Sequence, residues 1–295
     1  MTDPPGPGAS ITVISPGLLT TIQDDGRHGY AHLGVPPSGA LDKVSLHLAN
    51  RLVGNDVNAA VLEMTILGCT LQFNQISNVV LTGAAVHATL NGRDEAMNAP
   101  FNVPAGGVLQ LGSIRGGART YLAVRGGLDV PLVLGSRSTD TLTGLGPAPV
   151  RAGDVLPLGT AVQPWPGVDV AAVSKFNATS PFRIIPGPRA DWFTPGALAV
   201  LVDRPYQVQP ASNRVALRLS GNPLPRARTE ELASEGILAG AIQVPMSLQP
   251  ILFLNDHPTT GGYPVIAVLH SSDQDRAGQL KPGDNIRFQL HPAGT

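Results

Sequence analysis

The sequence predicts a mostly β protein of two barrel-like domains with few helices, on three observations. Glycine and proline are abundant, with 34 and 28 among 295 residues, against a usual combined share of about 12 %. They are spread along the chain with no Gly-X-Y period, as turns between many short strands require. Apolar runs are short and bounded by turn residues. A Gly-turn-strand element also recurs: Val103-Pro-Ala-Gly-Gly-Val-Leu-Gln-Leu-Gly112 resembles Val150-Arg-Ala-Gly-Asp-Val-Leu-Pro-Leu-Gly159, and Leu280-Lys-Pro-Gly-Asp-Asn-Ile-Arg-Phe288 is a third copy. Their irregular spacing excludes a solenoid.

In chain order, strands are expected at 10–14 and 18–23 around the turn Ser15-Pro16-Gly17. The period becomes helical over 40–53, with Leu41, Val44, Leu48 and Leu52 on one face. Ser38 is placed to cap this helix, with Asp42 in its first turn, Arg51 in its last and Gly54 as a stop. Strands return at 61–66, 70–73, 78–82, 86–90 and 93–97, the last two joined by the hairpin signal Asn91-Gly92, then at 109–111 and 120–124. The Pro/Gly/Ser-rich stretch Gln163–Ser180 reads as a linker. It divides an N-terminal β-barrel-like domain, 9–162, from a C-terminal one, 181–291. The second half offers strands at 182–185, 197–202, 206–208, 215–219, 251–254, 265–269 and 285–290, with a helical turn at 188–193.

Composition narrows the function. The net charge is −1 with no basic stripe, which argues against nucleic acid. No apolar run approaches the length of a membrane span, and the polar N-terminus lacks the core of a signal peptide. Cytoplasm is the default. The lone cysteine, Cys69, cannot form an internal disulfide, and its apolar neighbours mark it as a buried structural thiol. There is no Walker loop, no G-x-S-x-G elbow and no H-E-x-x-H or Cys/His cluster, so no metal is expected. No methionine precedes a lysine, so any biotin must ride on another chain.

Two constellations carry candidate chemistry. Gln23, Asp24 and Arg27 cluster after a strand, between glycines, and suit recognition of a carboxylate or phosphate; an exposed turn with a surface ion pair fits the pattern too. Asn255-Asp-His-Pro-Thr-Thr-Gly-Gly-Tyr-Pro264 follows an apolar strand. There Asp256 and His257 suit a base or an anchor, and Thr259, Thr260 and the backbone N–H groups near Gly261, Gly262 and Tyr263 suit an oxyanion cup; a tight loop with its threonines bonded to backbone is the alternative. Glu235-Gly236 and Ala241–Pro245 form a weaker candidate. Glu63, between Leu62 and Met64, reads as a buried carboxylate or as a solvent-facing strand residue, and alternation favours the second.

Taken together, Ser15-Pro-Gly-Leu-Leu-Thr-Thr-Ile-Gln-Asp-Asp-Gly-Arg-His-Gly-Tyr30, His32-Leu-Gly-Val-Pro-Pro-Ser-Gly-Ala-Leu-Asp42, Leu134-Gly-Ser-Arg-Ser138, Gly240-Ala-Ile-Gln-Val-Pro245 and Thr260-Gly-Gly-Tyr-Pro264 resemble, in order, the signatures of one family. It is the biotin-dependent carboxyltransferase-like group, which holds the C subunit of 5-oxoprolinase, allophanate hydrolase subunit 2 and the related part of urea carboxylase. Pro258 stands where members often have Gln, and Val265 where they often have Lys. The resemblance implies cyclophilin-like β-barrels and a partner, the B subunit (also called allophanate hydrolase subunit 1), with a LamB/YcsF-type A subunit as a third component. It implies an enzyme subunit, inactive alone, that opens 5-oxoproline to glutamate with ATP, the nucleotide lying partly or wholly on the partner. For that reaction Arg27 is the expected carboxylate anchor, Thr260–Gly262 the oxyanion donors, and Asp24 or Asp256 the base. Carboxyl transfer from carboxybiotin to a urea-like amide is a second implied activity, and a non-catalytic regulatory role a third.

Overall fold

The three Gly-turn elements all form as read. Gly106, Gly153 and Gly283 take φ of +76°, +90° and +91°, a region that only glycine enters cheaply. Each launches a strand at once: Val108–Val124, Val155–Pro157 and Asn285–Ile286. Their N–H groups donate to Phe73, Val13 and Val208 carbonyls at 2.7, 2.8 and 2.9 Å, so each turn is also stitched to a neighbouring strand.

The protein is described here from a computed structural model over residues 6, 8–172, 176 and 180–292. It is mostly β, with one half-barrel sheet and one nearly closed barrel sheet. The chain divides into two units, Met1–Arg27 with Ser38–Phe176 and His28–Pro37 with Asn177–Thr295. Of the expected linker, Val173–Lys175 and Asn177–Thr179 lie outside the described residues. Its beginning packs on the first unit: Gln163 N–H donates to the Gly54 carbonyl at 2.8 Å, and Arg125 stacks 4.1 Å from the Trp165 ring centroid.

The first unit contains β1 (Ser10–Ser15), β2 (Leu19–Gln23), α1 (Lys43–Leu52), β3 (Val61–Thr65), β4 (Thr70–Phe73), β5 (Ser77–Leu90), β6 (Arg93–Glu95), β7 (Phe101–Val103), β8 (Val108–Val124) and β9 (Val155–Pro157). The sheet runs β2-β3-β8-β4-β1-β9, and β5 pairs with β6, β7 and β8. Two strands expected at 78–82 and 86–90 are one, with irregularities at Gly83/Ala85 and Val86/Ala88. The segments 109–111 and 120–124 likewise belong to β8. The β5–β8 ribbon is buried on both faces near α1 and on one face beyond it, so its apolar pattern changes along its length. Asn91 and Gly92, both at positive φ, turn β5 into β6.

Helix α1 is shorter than expected, and its inward face is rotated from the expected one: Leu52 is buried and Leu48 packs on the core as read, but Leu46 and Ala49 take the central place. Asp42, not Ser38, is the N-cap; its carboxylate accepts from Ser45 N–H at 2.9 Å. Ser38 has φ +52°. Leu46, Ala49, Leu52 and Val53 join Val61, Val80, Tyr121 and Ala123 in the core beneath the helix, whereas Val44 is exposed. Under this helix Glu63 is buried, contrary to its alternation. It accepts from Leu41 N–H and Tyr121 hydroxyl, both at 2.9 Å, and pairs with Arg119 at 3.4 Å. Because α1 covers that face of β3, alternation there does not mean exposure. Burial, and next the Glu63 charge, push the Tyr121 phenol well above its usual range. Cys69 is buried, and burial pushes its thiol up to about 12.

The second unit contains β10 (Phe182–Pro186), α2 (Ala197–Asp203), β11 (Tyr206–Val208), β12 (Ala216–Ser220), β13 (Glu235–Gly236), β14 (Ala241–Gln243), β15 (Ile251–Phe253), β16 (Thr260–Gly261), β17 (Val265–Leu269), α3 (Gln274–Ala277), β18 (Asn285–Ile286) and β19 (Phe288–Leu290). Its main sheet runs β18-β11-β12-β15-β14-β17-β10-β19. Because β18 and β19 are consecutive pieces of one segment split at Arg287, the two ends of this order meet in sequence and nearly close the barrel. The expected strand 197–202 is helix α2. Ala197 and Leu201, four apart, are its buried residues, so the run obeys a helical period rather than a strand's. The expected helical turn at 188–193 forms over Ala190–Trp192.

Asp273 clasps β10 to α3. It accepts from Arg183 N–H at 2.8 Å, from the Arg183 guanidinium at 2.9 and 3.0 Å, and from Arg276 at 3.0 Å. Burial alone raises its carboxyl, but the Arg183 and Arg276 hydrogen bonds outweigh burial and lower it to about 2. A carboxyl depressed on folding stabilises the fold above its unfolded pKa of about 3.9, and that contribution fades as pH falls through the folded value. The stability gap between wild type and Asp273→Asn, measured by urea unfolding, is therefore expected to be constant from pH 7 to about 5 and to shrink between about 4 and 2. A gap independent of pH over that window would contradict it.

Candidate functional site

In the first unit the predicted residues sit where β2 ends. Gln23 is fully buried. Its amide N–H donates to Thr21 Oγ1 at 3.1 Å and to the Thr139 carbonyl at 3.0 Å, while its Oε1 is buried with no partner among the described residues. Asp24 is the hub. Its Oδ1 accepts from Gly26 N–H at 2.9 Å, Ser136 Oγ at 2.6 Å and Ser138 Oγ, and its Oδ2 accepts from Arg137 N–H at 2.6 Å. Arg27 is 2 % exposed and donates to the Ser138 and Val133 carbonyls. The expected exposed turn with a surface ion pair is thus replaced by a buried clasp between residues 23–27 and 133–139. Asp24 accepts four hydrogen bonds, and the Arg27 guanidinium is turned onto main-chain carbonyls.

Sequence reasoning missed the other half of this clasp. Ser136 and Ser138 lie in the quoted run Leu134–Ser138, but the two segments are more than 100 residues apart. A Ser-x-Ser spacing that puts two hydroxyls on one carboxylate was the available signal. Arg137 between them carries the clasp to the surface: its guanidinium donates to Val130 O and Asp129 Oδ1, each at 2.7 Å. Beside it opens a pocket of about 370 Å³ lined by residues that include Asp56, Gly127, Asp129, Gly159 and Thr160.

In the second unit the predicted residues surround β16. Asp256 is fully buried and forms a two-point ion pair with Arg214, Nε–Oδ2 at 3.0 Å and Nη2–Oδ1 at 3.1 Å. Arg214 stands 42 positions away, and nothing in its local sequence marked it. His257 is buried, with Nδ1 2.8 Å from the Pro258 carbonyl. Thr260 and Gly261 pair with Gly236 and Glu235 of β13 in a two-stranded ribbon outside the main sheet, and the Thr259 carbonyl accepts from Ile237 N–H at 2.9 Å. Thr260 and Tyr263 are on the surface. Glu235, a weak candidate by sequence, clamps the ribbon to the turn before Trp192 through Arg189, Nε–Oε2 at 3.0 Å; the Arg189 hydrogen bonds hold its carboxyl below the ordinary carboxylate range. In this unit, too, a carboxylate fixes the loop while surface hydroxyl and backbone groups remain outermost.

These features define a β protein of two barrel-type sheets, each carrying a polar strand-end loop held by a buried carboxylate. Residues 33–290 match the model of the carboxyltransferase domain, subdomain A and B, and the chain belongs to this family. It is 39 % identical to the C subunit of 5-oxoprolinase from Escherichia coli K12 over 283 residues, covering 94 % of this chain and 90 % of that one. It is 34 % identical to urea amidolyase of Saccharomyces cerevisiae, covering 95 % of this chain but 16 % of that protein. The crystal structure of TTHA0988 superposes with a TM-score of 0.86 at 34 % identity, covering 98 % of this chain and 58 % of that one.

Removing one member of a buried pair leaves an uncompensated charge. Arg214→Leu is therefore expected to destabilise the fold by about 3–5 kcal/mol, and Arg214→Leu with Asp256→Leu to recover much of the loss. Urea unfolding checks both; a single variant as stable as wild type would show that the pair does not hold this loop.

Proposed function

We propose that this chain is the C-type subunit of an ATP-dependent 5-oxoprolinase, acting with a B-type subunit to open 5-oxoproline to glutamate. One observation carries the reading: the match to the C subunit of 5-oxoprolinase spans 90 % of that protein, whereas the match to yeast urea amidolyase spans 16 % of it. The name of the first relative makes it one subunit of several, which supports partners for this chain.

The chemistry fits a divided enzyme. A lactam is a poor electrophile; transfer of a phosphoryl group from ATP to its oxygen, with release of ADP, activates the carbon for addition of water. The ring C–N bond then breaks as the nitrogen takes a proton, and a second water hydrolyses the resulting acyl phosphate to glutamate and phosphate. On this chain the surface Thr260 hydroxyl, with the backbone of the Gly262–Tyr263 turn beside it, is the donor suited to an oxygen gaining charge. Asp24, Arg27 and Asp256 act through the loops they hold, since the two carboxylates and the Arg27 Nε and Nη2 are engaged within the protein. The chain carries no nucleotide loop, so in this reading ATP lies partly or wholly on the partner. Biotin is not attached to this chain in this reading. The similarity to urea amidolyase keeps carboxyl transfer to a urea-type amide as the second reading.

Glutamate release from 5-oxoproline and ATP, measured with each protein alone, with the co-expressed pair and with the A-type component added, separates the two. Release is expected only with the partner subunits present, the A-type component included, together with co-elution of the pair through an interface above about 2,000 Å². Carboxylation of urea from carboxybiotin without glutamate release would favour the second reading. Thr260→Val keeps side-chain shape and is expected to lower turnover by about tenfold or more while leaving the melting temperature near wild type; unchanged turnover would remove Thr260 from the site.

A further inference from the structure

Gln243 is the last residue of β14, and the pairing of β14 with β17 shifts register between Ile242 and Gln243. Such an irregularity re-aims the side chain that follows it. Gln243 is 3 % exposed and lies under the Gly261–Tyr263 loop. Its Nε2 donates to the Tyr263 carbonyl at 2.9 Å. A Cβ added to Gly261 would stand 3.1 Å from Nε2, 3.4 Å from Oε1 and 2.4 Å from Ile237 Cδ1, so only glycine lets the loop lie this close to the amide.

The Tyr263 contact settles which end of the amide is which. A carbonyl accepts only from the NH₂ end, so Oε1 is the other atom. No described residue donates to Oε1. Oε1 is thus left as an acceptor without a described donor, in a residue that is otherwise buried. The result is a fixed hydrogen-bond acceptor beside the loop that carries Thr260.

We infer that Gln243 Oε1 is the acceptor for the N–H of an amide or lactam substrate, and so the group that tells a lactam from a lactone. The inference rests on the proposed function for the identity of the substrate, and adds the atom that reads its nitrogen. An N–H donor on the ligand satisfies Oε1. A ring oxygen in its place presents lone pairs to Oε1 instead and leaves the acceptor unpaired at a cost. Amides and ureas share the donor and fit the same position; esters and lactones do not.

The test is binding, without ATP, of two matched pairs to the full chain co-purified with its B-type partner. The pairs are 5-oxoproline with its ring-oxygen lactone analogue, and 2-pyrrolidinone with γ-butyrolactone. Wild type is expected to prefer each lactam by about tenfold, the worth of one hydrogen bond of about 1.4 kcal/mol. Gln243→Met, similar in shape but without the acceptor or the donor to Tyr263, is expected to abolish the preference, any loss of loop support lowering lactam and lactone binding alike. A preference that survives in Gln243→Met overturns the inference. Equal weakening of lactam and lactone with the preference kept also overturns it, because that is the signature of a residue that only supports the loop. Absence of any lactam preference in wild type overturns it as well. If 2-pyrrolidinone is preferred but no glutamate is released in the assay above, the 5-oxoprolinase reading fails and the acceptor role stands. If glutamate is released while Gln243→Met keeps the full preference, the reverse holds.

Discussion

The Asp24 carboxylate is the constraint on which the first unit's polar loops depend. Taking a carboxylate out of water is costly unless its lone pairs are filled, and here Gly26, Ser136, Arg137 and Ser138 fill them. Donors to an ionised acceptor are stronger than neutral pairs, so a residue at the end of β2 fixes a segment more than 100 positions away. Once 133–139 is fixed, its carbonyls become the partners of Gln23 and Arg27. The same clasp sets the main chain of Arg137, whose guanidinium edges the pocket near Gly127 and Gly159.

The second unit uses the same device with a different partner. Asp256 is neutralised by a guanidinium rather than by hydroxyls and backbone, and it fixes the start of the loop that ends at Tyr263. Glu235 with Arg189 fixes the ribbon opposite, and Gln243 supports the loop from beneath. Three buried or half-buried side chains thus hold a short stretch whose outward groups are a threonine hydroxyl, glycine backbone and a tyrosine. Held groups lose little entropy when a ligand binds, which suits a loop whose task is to present donors.

This division between holding and presenting explains why the candidate residues divide as they do. Acidic and basic residues in a polar loop read as chemistry, and Asp24, Arg27 and Asp256 stand out on that basis. Their partners Ser136, Ser138 and Arg214 are distant in sequence, so nothing local shows that those charges are already engaged. Gln243 goes without a role for a related reason: a glutamine inside an apolar strand carries no sign of which way its amide faces. Glu63 shows the limit of alternation, since the expectation of exposure holds only if one face of the strand meets water.

The amino-acid sequence alone determined the β class, the strand starts after the Gly turns, the Asn91-Gly92 hairpin and the family, because each depends on local conformational preference or on motifs read in order. It did not determine the inward face of α1, the helical state of 197–203, the burial of Glu63 or the partners of the loop carboxylates. Those depend on which surfaces are covered by elements far along the chain. Helix α1 shields one side of β3, a four-residue period against the barrel makes a helix of an apolar run, and a charge is silent or available according to what the fold brings beside it.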